Sequence, residues 1–450
     1  MSKSANERLL MTTISLKVRA GKWIIAGGIG LVLISLVIHA AARSKTDQLT
    51  DTRVASDFAP TKYILRNWTN FRGPVASGHA AHANPPLNWS AKEGKNILWK
   101  TKVPKPGMNS PVIWGSRLFL TGADESSRQI FCFETDTGKL LWQHEADGIP
   151  GSPPKDKLPD VMETSGLAAP TAVTNGRYVA AIFATGDLVC VNMEGKRIWS
   201  KNLGVPDNHY GHSSSLISHR NILFVQYDQN KGSQLLAFDL SSGNSVWRVK
   251  RGVISWSSPV LIDNNGRMEL VLTNGKAVDS YDPRTGKLLW HVVCLNGEVA
   301  SSAAYADGIV YVANEYATAS AIDVGNHGSG PKILWQWDEA LPDATSPVAN
   351  EDFLILPTGF GVVSCLDVKK GKLLWEHEFD DGFYSSPILV NDRVYIIDIK
   401  GRMQIFKMDD EFELLGTSTI GEDAYATPAF VGDRIYIRGV THLFCIEEQK

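Results

Sequence analysis

A tryptophan that returns at one place in a repeating unit constrains this chain more than any other feature. It closes DTGKLLW at 136–142, EGKRIW at 194–199, SSGNSVW at 241–247, RTGKLLW at 284–290 and KKGKLLW at 369–375, with a shortened copy, KILW, at 332–335. One step before Trp142 lies Trp99, in NILWKTKV, and one step after Trp375 lies Leu415, in FELLGTST. Trp99, Trp142, Trp199, Trp247, Trp290, Trp335 and Trp375, with Leu415 in place of the last, make eight marks, mostly about 40–48 residues apart.

A second series runs in step with the first. Ser110-Pro111, Ala169-Pro170, Ser258-Pro259, Ser346-Pro347, Ser386-Pro387 and Thr427-Pro428 each open an apolar run, and HSSSLIS at 212–218 and ASSAAYA at 300–306 fill the two gaps. Between the marks come alternating strands such as RLFLTG and RVYIID, joined by short turns, and 39 glycines supply those turns. Four short strands per unit at this spacing predict an all-β, eight-bladed β-propeller. Seven blades is the alternative, if Leu415 does not mark one. The tryptophan is then the blade-docking residue, filling the wedge between flat neighbouring sheets, with burial contributing about 2–3 kcal/mol each. The last unit has only three strands, so 96–103 is expected to supply its fourth and close the ring without a free edge.

Residues 23–42, WIIAGGIGLVLISLVIHAAA, carry no charge, and five Lys or Arg precede them against one acid, Glu7. About 20 apolar residues with a basic leading flank read as a membrane-spanning helix that exports the remainder of the chain. A signal peptide cleaved after the small residues at 40–42 is the competing reading. The expected organisation is a basic cytoplasmic start at 1–22, an anchor or signal segment at 23–42, a linker and extension at 43–94 and the propeller at 95–450. The five cysteines include no C-x-x-C pair, and four of them sit inside apolar strands, so they read as small buried residues. A net charge of −3 gives no support for a nucleic-acid partner.

The repeat, carried best by Phe133–Lys139 and Tyr281–Lys287, resembles the tryptophan-docking motif of the pyrroloquinoline-quinone (PQQ) family of propellers. Trp68-Thr69-Asn70-Phe71-Arg72-Gly73-Pro74 with Gly78 resembles the W-x-x-F-R-G-P-x-x-x-G opening of exported PQQ-like propellers of planctomycete type, so the resemblance covers residues 67–450. It implies one of two branches. The non-catalytic, BamB-like branch is a binding or assembly scaffold of the cell envelope with a protein partner and no cofactor. The quinoprotein branch is a PQQ- and calcium-dependent alcohol or sugar dehydrogenase. The chain has no Cys-Cys pair and no single motif with several converging oxygens for calcium, which favours the scaffold. A glycan or other polymer ligand is a third reading.

Function is expected in the loops that enter each blade. Asn109, His209, Tyr210, His212, Trp256, Glu298, Tyr384 and Tyr425 are the candidate binding face, with Phe383 beside Tyr384. No catalytic residue is assigned. His209 and His212 have a metal-like spacing but no evident third ligand, so no metal site is assigned either. Residues 145–168 are the longest departure from the repeat, and Leu158, Val161 and Met162 within them are expected to lie on the surface as a partner contact.

Overall fold

The computed structural model describes residues 61–449 apart from 326, 327 and 329. It contains eight four-stranded antiparallel sheets, seven of them running outward in chain order. Blades 1 to 7 occupy residues 112–145, 173–202, 217–250, 260–293, 304–337, 348–378 and 388–419. Blade 8 takes three strands from 429–446 and its outermost from Ile97–Lys102, which pairs with His442–Ile446. The eight-bladed ring closed by its own beginning is therefore as expected. The readings of 1–22 and 23–42, and the linker to residue 60, lie outside the described residues. Among the described residues no helix is long and apolar enough to cross a membrane.

The cross-strand register explains the cysteines. Trp142 stands opposite Cys132, Trp199 opposite Cys190, Trp375 opposite Cys365 and Trp99 opposite Cys445. The remaining tryptophans face Ala237, Ser280 and Ala321. The position opposite an indole takes a small side chain, and a β-bulge beside it sets the ring's angle. Burial pushes the thiols up, that of Cys132 to about 12, so they are packing residues rather than nucleophiles.

Six of the seven indoles donate to the following blade. The N–H of Trp142 donates to Met193 O at 3.0 Å, that of Trp199 to Leu240 O at 2.7 Å and that of Trp335 to Val368 O at 2.7 Å. Across the closure, Trp99 donates to Thr135 O at 2.9 Å. The glycine of the receiving turn lies flat on the ring: a Cβ at Gly138, where φ is +69°, would fall 2.5 Å from Trp99. Trp99 and Trp290 are buried, but the other five are only half-buried, because the fourth strand lies at the perimeter. Trp290 also differs in bonding, since it donates to Glu269 Oε2 of its own blade at 2.7 Å.

Blade 7 corrects one expectation. Ile405 pairs with Gly416 and Phe406 with Leu414, so Leu415 is the bulged residue and Gly416 holds the tryptophan's place. A Cβ there would meet Leu87 O at 2.8 Å. The extension runs along this edge, bridging Ser90 to Thr419, and buries Trp89 in the core shared by blades 7, 8 and 1. A tryptophan from outside the repeat thus enters the seam that lacks its own.

The W-x-x-F-R-G-P segment crosses the lower end of the central channel, opposite the loops that enter the blades. Trp68 bridges Ile113 of blade 1, and Thr69 O accepts from Thr174 N of blade 2. Arg72 is fully buried; its guanidinium donates to Ala303 O of blade 5 at 3.1 Å and to Pro347 O of blade 6. Burial pulls its pKa down, and the two carbonyls hold it as a cation. Gly78 O accepts from Leu389 N of blade 7, Ala80 N donates to Leu389 O, and Val75 and Ala76 pack on blade 4. At Gly78, with φ +76°, a Cβ would lie 2.8 Å from Arg72 Nη2, which accounts for the final glycine of the motif.

Candidate functional site

The second sequence series builds the wall of the channel. Ser110 N donates to Thr171 Oγ1, Thr171 N to Ser215 Oγ, Ser215 N to Ser258 Oγ and Ser258 N to Ser302 Oγ. Ser302 N then donates to Ser346 Oγ, Ser346 N to Ser386 Oγ and Ser386 N to Thr427 Oγ1. These bonds, 2.8 to 3.1 Å long, hand each innermost N–H to the hydroxyl of the next blade. The hydroxyls are therefore structural acceptors, which is why each unit opens on a Ser or Thr, beside a Pro in six of the eight.

Above this belt lies a cup of about 490 Å³, within the usual range of ligand pockets. Of the candidate residues, Tyr210, Trp256, Glu298, Tyr384 and Tyr425 line it. They form two aromatic groups. Tyr210 and Trp256 meet edge to face with centroids 5.0 Å apart, and Tyr384 and Tyr425 lie 5.9 Å apart. Trp256 is fixed by its N–H donating to Asn208 Oδ1 at 2.7 Å. His209 packs at a tilt on Tyr210, with centroids 3.9 Å apart, and stands 3.8 Å from Glu298 at the rim.

Two candidates do not reach the cup. Asn109 is buried: its amide donates to Thr121 O and Ala168 O, and its Oδ1 accepts from Arg438 at 2.7 Å. It ties blade 8 to the end of the 145–168 excursion. His212 is buried against Tyr227, and burial pulls its pKa down to about 4, so it is neutral at pH 7. Phe383 is likewise buried, packed against Phe379. In the excursion, Met162 lines the cup, while Val161 and Met162 line a neighbouring groove with Met108 and Leu167; Leu158 lines neither.

The lining also includes residues outside the predicted binding face. Glu315 and Asp343 join Glu298 at the cup, and Phe71 enters it from the lower side. Glu315 lies beside Tyr316 in the hairpin between strands Ile309–Val312 and Ala319–Asp323 of blade 5, not in an entry loop. The Tyr210 hydroxyl donates to Glu298 Oε2 at 2.8 Å, and this bond to the carboxylate holds the phenol above its ordinary value. No Lys or Arg lines the cup, and among the described residues none of the three carboxylates has a Lys or Arg within salt-bridge distance. PQQ is a tricarboxylate, so these acids would repel it and no lining cation would receive it. Among the described residues no group of three or more His, Cys, Asp or Glu is placed to hold a metal. The lining does not fit a bound PQQ–calcium pair.

The chain is similar to outer membrane protein assembly factor BamB of Salmonella typhimurium, at 26% identity over 53% of this chain and 63% of that protein. The matched region thus spans less than two thirds of that relative. BamB of Moranella endobia is 23% identical over 63% of this chain and 67% of its own. Among solved structures, BamB from Moraxella catarrhalis superposes with a TM-score of 0.59 at 14% identity, covering 78% of this chain and 99% of that one. A quinohemoprotein alcohol dehydrogenase from Pseudomonas putida HK5 gives 0.64 at 12% identity, over 87% and 82%. At these identities the structural likeness carries the propeller fold and nothing finer. The profile of one family, described as outer membrane protein assembly factor BamB, matches residues 84–265 and 329–413. More than half of the sequence carries that match, and the chain belongs to this family as a PQQ-like, BamB-type β-propeller.

Proposed function

We propose that this protein is a non-catalytic binding scaffold of the cell envelope, tethered through residues 23–42 and presenting the upper end of its propeller to a protein partner. The cup carries this reading. It joins two aromatic groups to three carboxylates, a composition suited to holding another chain, and it offers a tricarboxylate quinone no cation. Similarity to proteins named as outer membrane protein assembly factors supports an envelope role in which the partner belongs to membrane-protein assembly. The basic flank and uncharged run at 3–42 support export with the propeller outside the membrane, and 43–94 joins the anchor to the ring.

The test is photo-crosslinking in envelope fractions from a reactive residue at Tyr384, with a second at Arg177, away from the cup, as control. One defined partner captured at Tyr384 and not at Arg177 is the expected outcome. Reconstitution with PQQ and calcium gives the opposing result: dye-linked alcohol or sugar oxidation that vanishes without PQQ would replace the scaffold with a quinoprotein dehydrogenase.

A further inference from the structure

We infer that the cup takes a cationic side chain, lysine or arginine, presented at the tip of a hairpin or at a chain end of the protein partner; this rests on the scaffold reading above. Three observations lead there. The first is charge. Glu298, Glu315 and Asp343 converge on one cavity whose lining includes no Lys or Arg, although the chain as a whole is close to neutral at −3. Carboxylates gathered in a partly enclosed space repel one another, and a cation entering between them relieves that repulsion.

The second is the aromatic lining. Tyr210 with Trp256 and Tyr384 with Tyr425 offer ring faces and edges among the acids. A guanidinium or ammonium over such a ring gains a further attraction that a neutral group does not. Tyr210 already spends its hydroxyl on Glu298, which keeps that carboxylate oriented. The acids and the two aromatic groups line one cavity, and the complement of such a lining is an organic cation.

The third is the floor. Phe71 lies at the lower side of the cup, and the segment carrying it is bonded to blades 1, 2, 5, 6 and 7. An extended strand cannot thread past it. The ligand enters and leaves by one mouth, which selects a tip or an end over a through-running segment. The rim already exposes Tyr384, at 46%, and Met162, at 48%, to receive the flanks of such a tip.

The probe is a disulfide-closed hairpin peptide with arginine at its turn, and its twin with citrulline, which keeps the shape and removes the charge. Binding to the full-length protein in detergent is followed by Trp256 emission, using Trp256→Phe to assign the signal. The arginine peptide is expected to bind at least about tenfold tighter than the citrulline twin, with the difference shrinking as salt rises from about 50 to about 500 mM. The combined Glu298→Gln, Glu315→Gln and Asp343→Asn variant, checked for an unchanged melting temperature, is expected to abolish that preference. Equal binding of the twins, a preference that survives in the variant, or choline binding as tightly as the peptide would overturn the assignment. Partner capture from Tyr384 separates the two claims. If the acid-neutral variant captures the same partner equally well, the cationic tip is wrong and the scaffold stands; if the wild type captures none, the scaffold falls first.

Discussion

At the lower end of the channel Arg72 buries its guanidinium against carbonyls of blades 5 and 6, while at the upper end Glu298, Glu315 and Asp343 stand around an open cup with no Lys or Arg among them. Both ends are made by the same eight blades, and the hydroxyl belt lies between them. The lower end is closed by the chain's own extension: a buried cation, its acceptors and a glycine that makes room for it. The upper end keeps aromatic rings and carboxylates without internal partners of opposite charge. Polar groups satisfied within one chain serve stability, whereas charges left unpaired in a cavity await a group from outside. The difference supports the proposal that binding belongs to the upper end, and it assigns the buried Arg72 segment to fold maintenance at the lower.

The largest expected effect falls on the lower end. Arg72→Ala strands two buried carbonyls and empties the space beside Gly78, and is expected to cost about 3–5 kcal/mol in urea unfolding. A loss below about 1 kcal/mol would mean that the segment is an accessory rather than part of the propeller. Next comes His212, which lies under the upper loops. Its folded pKa of about 4 is below its ordinary 6.5, so the native state favours the neutral ring. Its contribution is therefore complete above pH 6.5 and is lost as pH falls through 6.5 toward 4, to the extent of about 3 kcal/mol. His212→Gln should flatten the stability profile in that window, whatever it costs at pH 7. An unchanged slope would place a different group at the origin of the acid sensitivity.

A smaller effect is expected midway. Ser302→Ala removes the acceptor of Ser258 N and interrupts the belt, at about 1–2 kcal/mol, measurable as a lowered melting temperature. This residue also shows how far the sequence was legible. The Ser-Pro and Thr-Pro series was visible as a repeat and gave the blade count together with the tryptophans, because strand period, turn chemistry and spacing are local properties. Its purpose was not visible, because each hydroxyl serves the N–H of a neighbouring blade some 40 to 60 residues away. The same limit hid the role of Trp89, which substitutes for a missing mark from outside the repeat, and displaced that mark by one residue onto the bulge at Leu415. In the candidate site, loop aromatics such as Tyr210, Trp256, Tyr384 and Tyr425 were legible as large groups in entry loops. Asn109 and His212 lie in the same loops yet turn inward, a choice made by Thr121 and Tyr227 in the next strand of the blade and by Arg438 far along the chain.

The smallest effect on stability is expected where the effect on binding is largest. Glu298→Gln, Glu315→Gln and Asp343→Asn keep the shapes and hydrogen-bond acceptors that Tyr210 and the Gly359 N–H use. They remove three like charges that face one cavity. Stability should then stay within about 0.5 kcal/mol of wild type, shifted if anything upward, since self-repulsion in the unliganded cup is relieved. Chemical unfolding of the triple variant at low salt measures this directly. A loss of more than about 1 kcal/mol would give the acids a structural duty like that of Arg72, and the contrast between the two ends of the channel would disappear. A neutral or stabilising result, alongside the lost preference for the arginine peptide, would mean that the acids are kept at the expense of the isolated fold for a ligand that brings the missing cation.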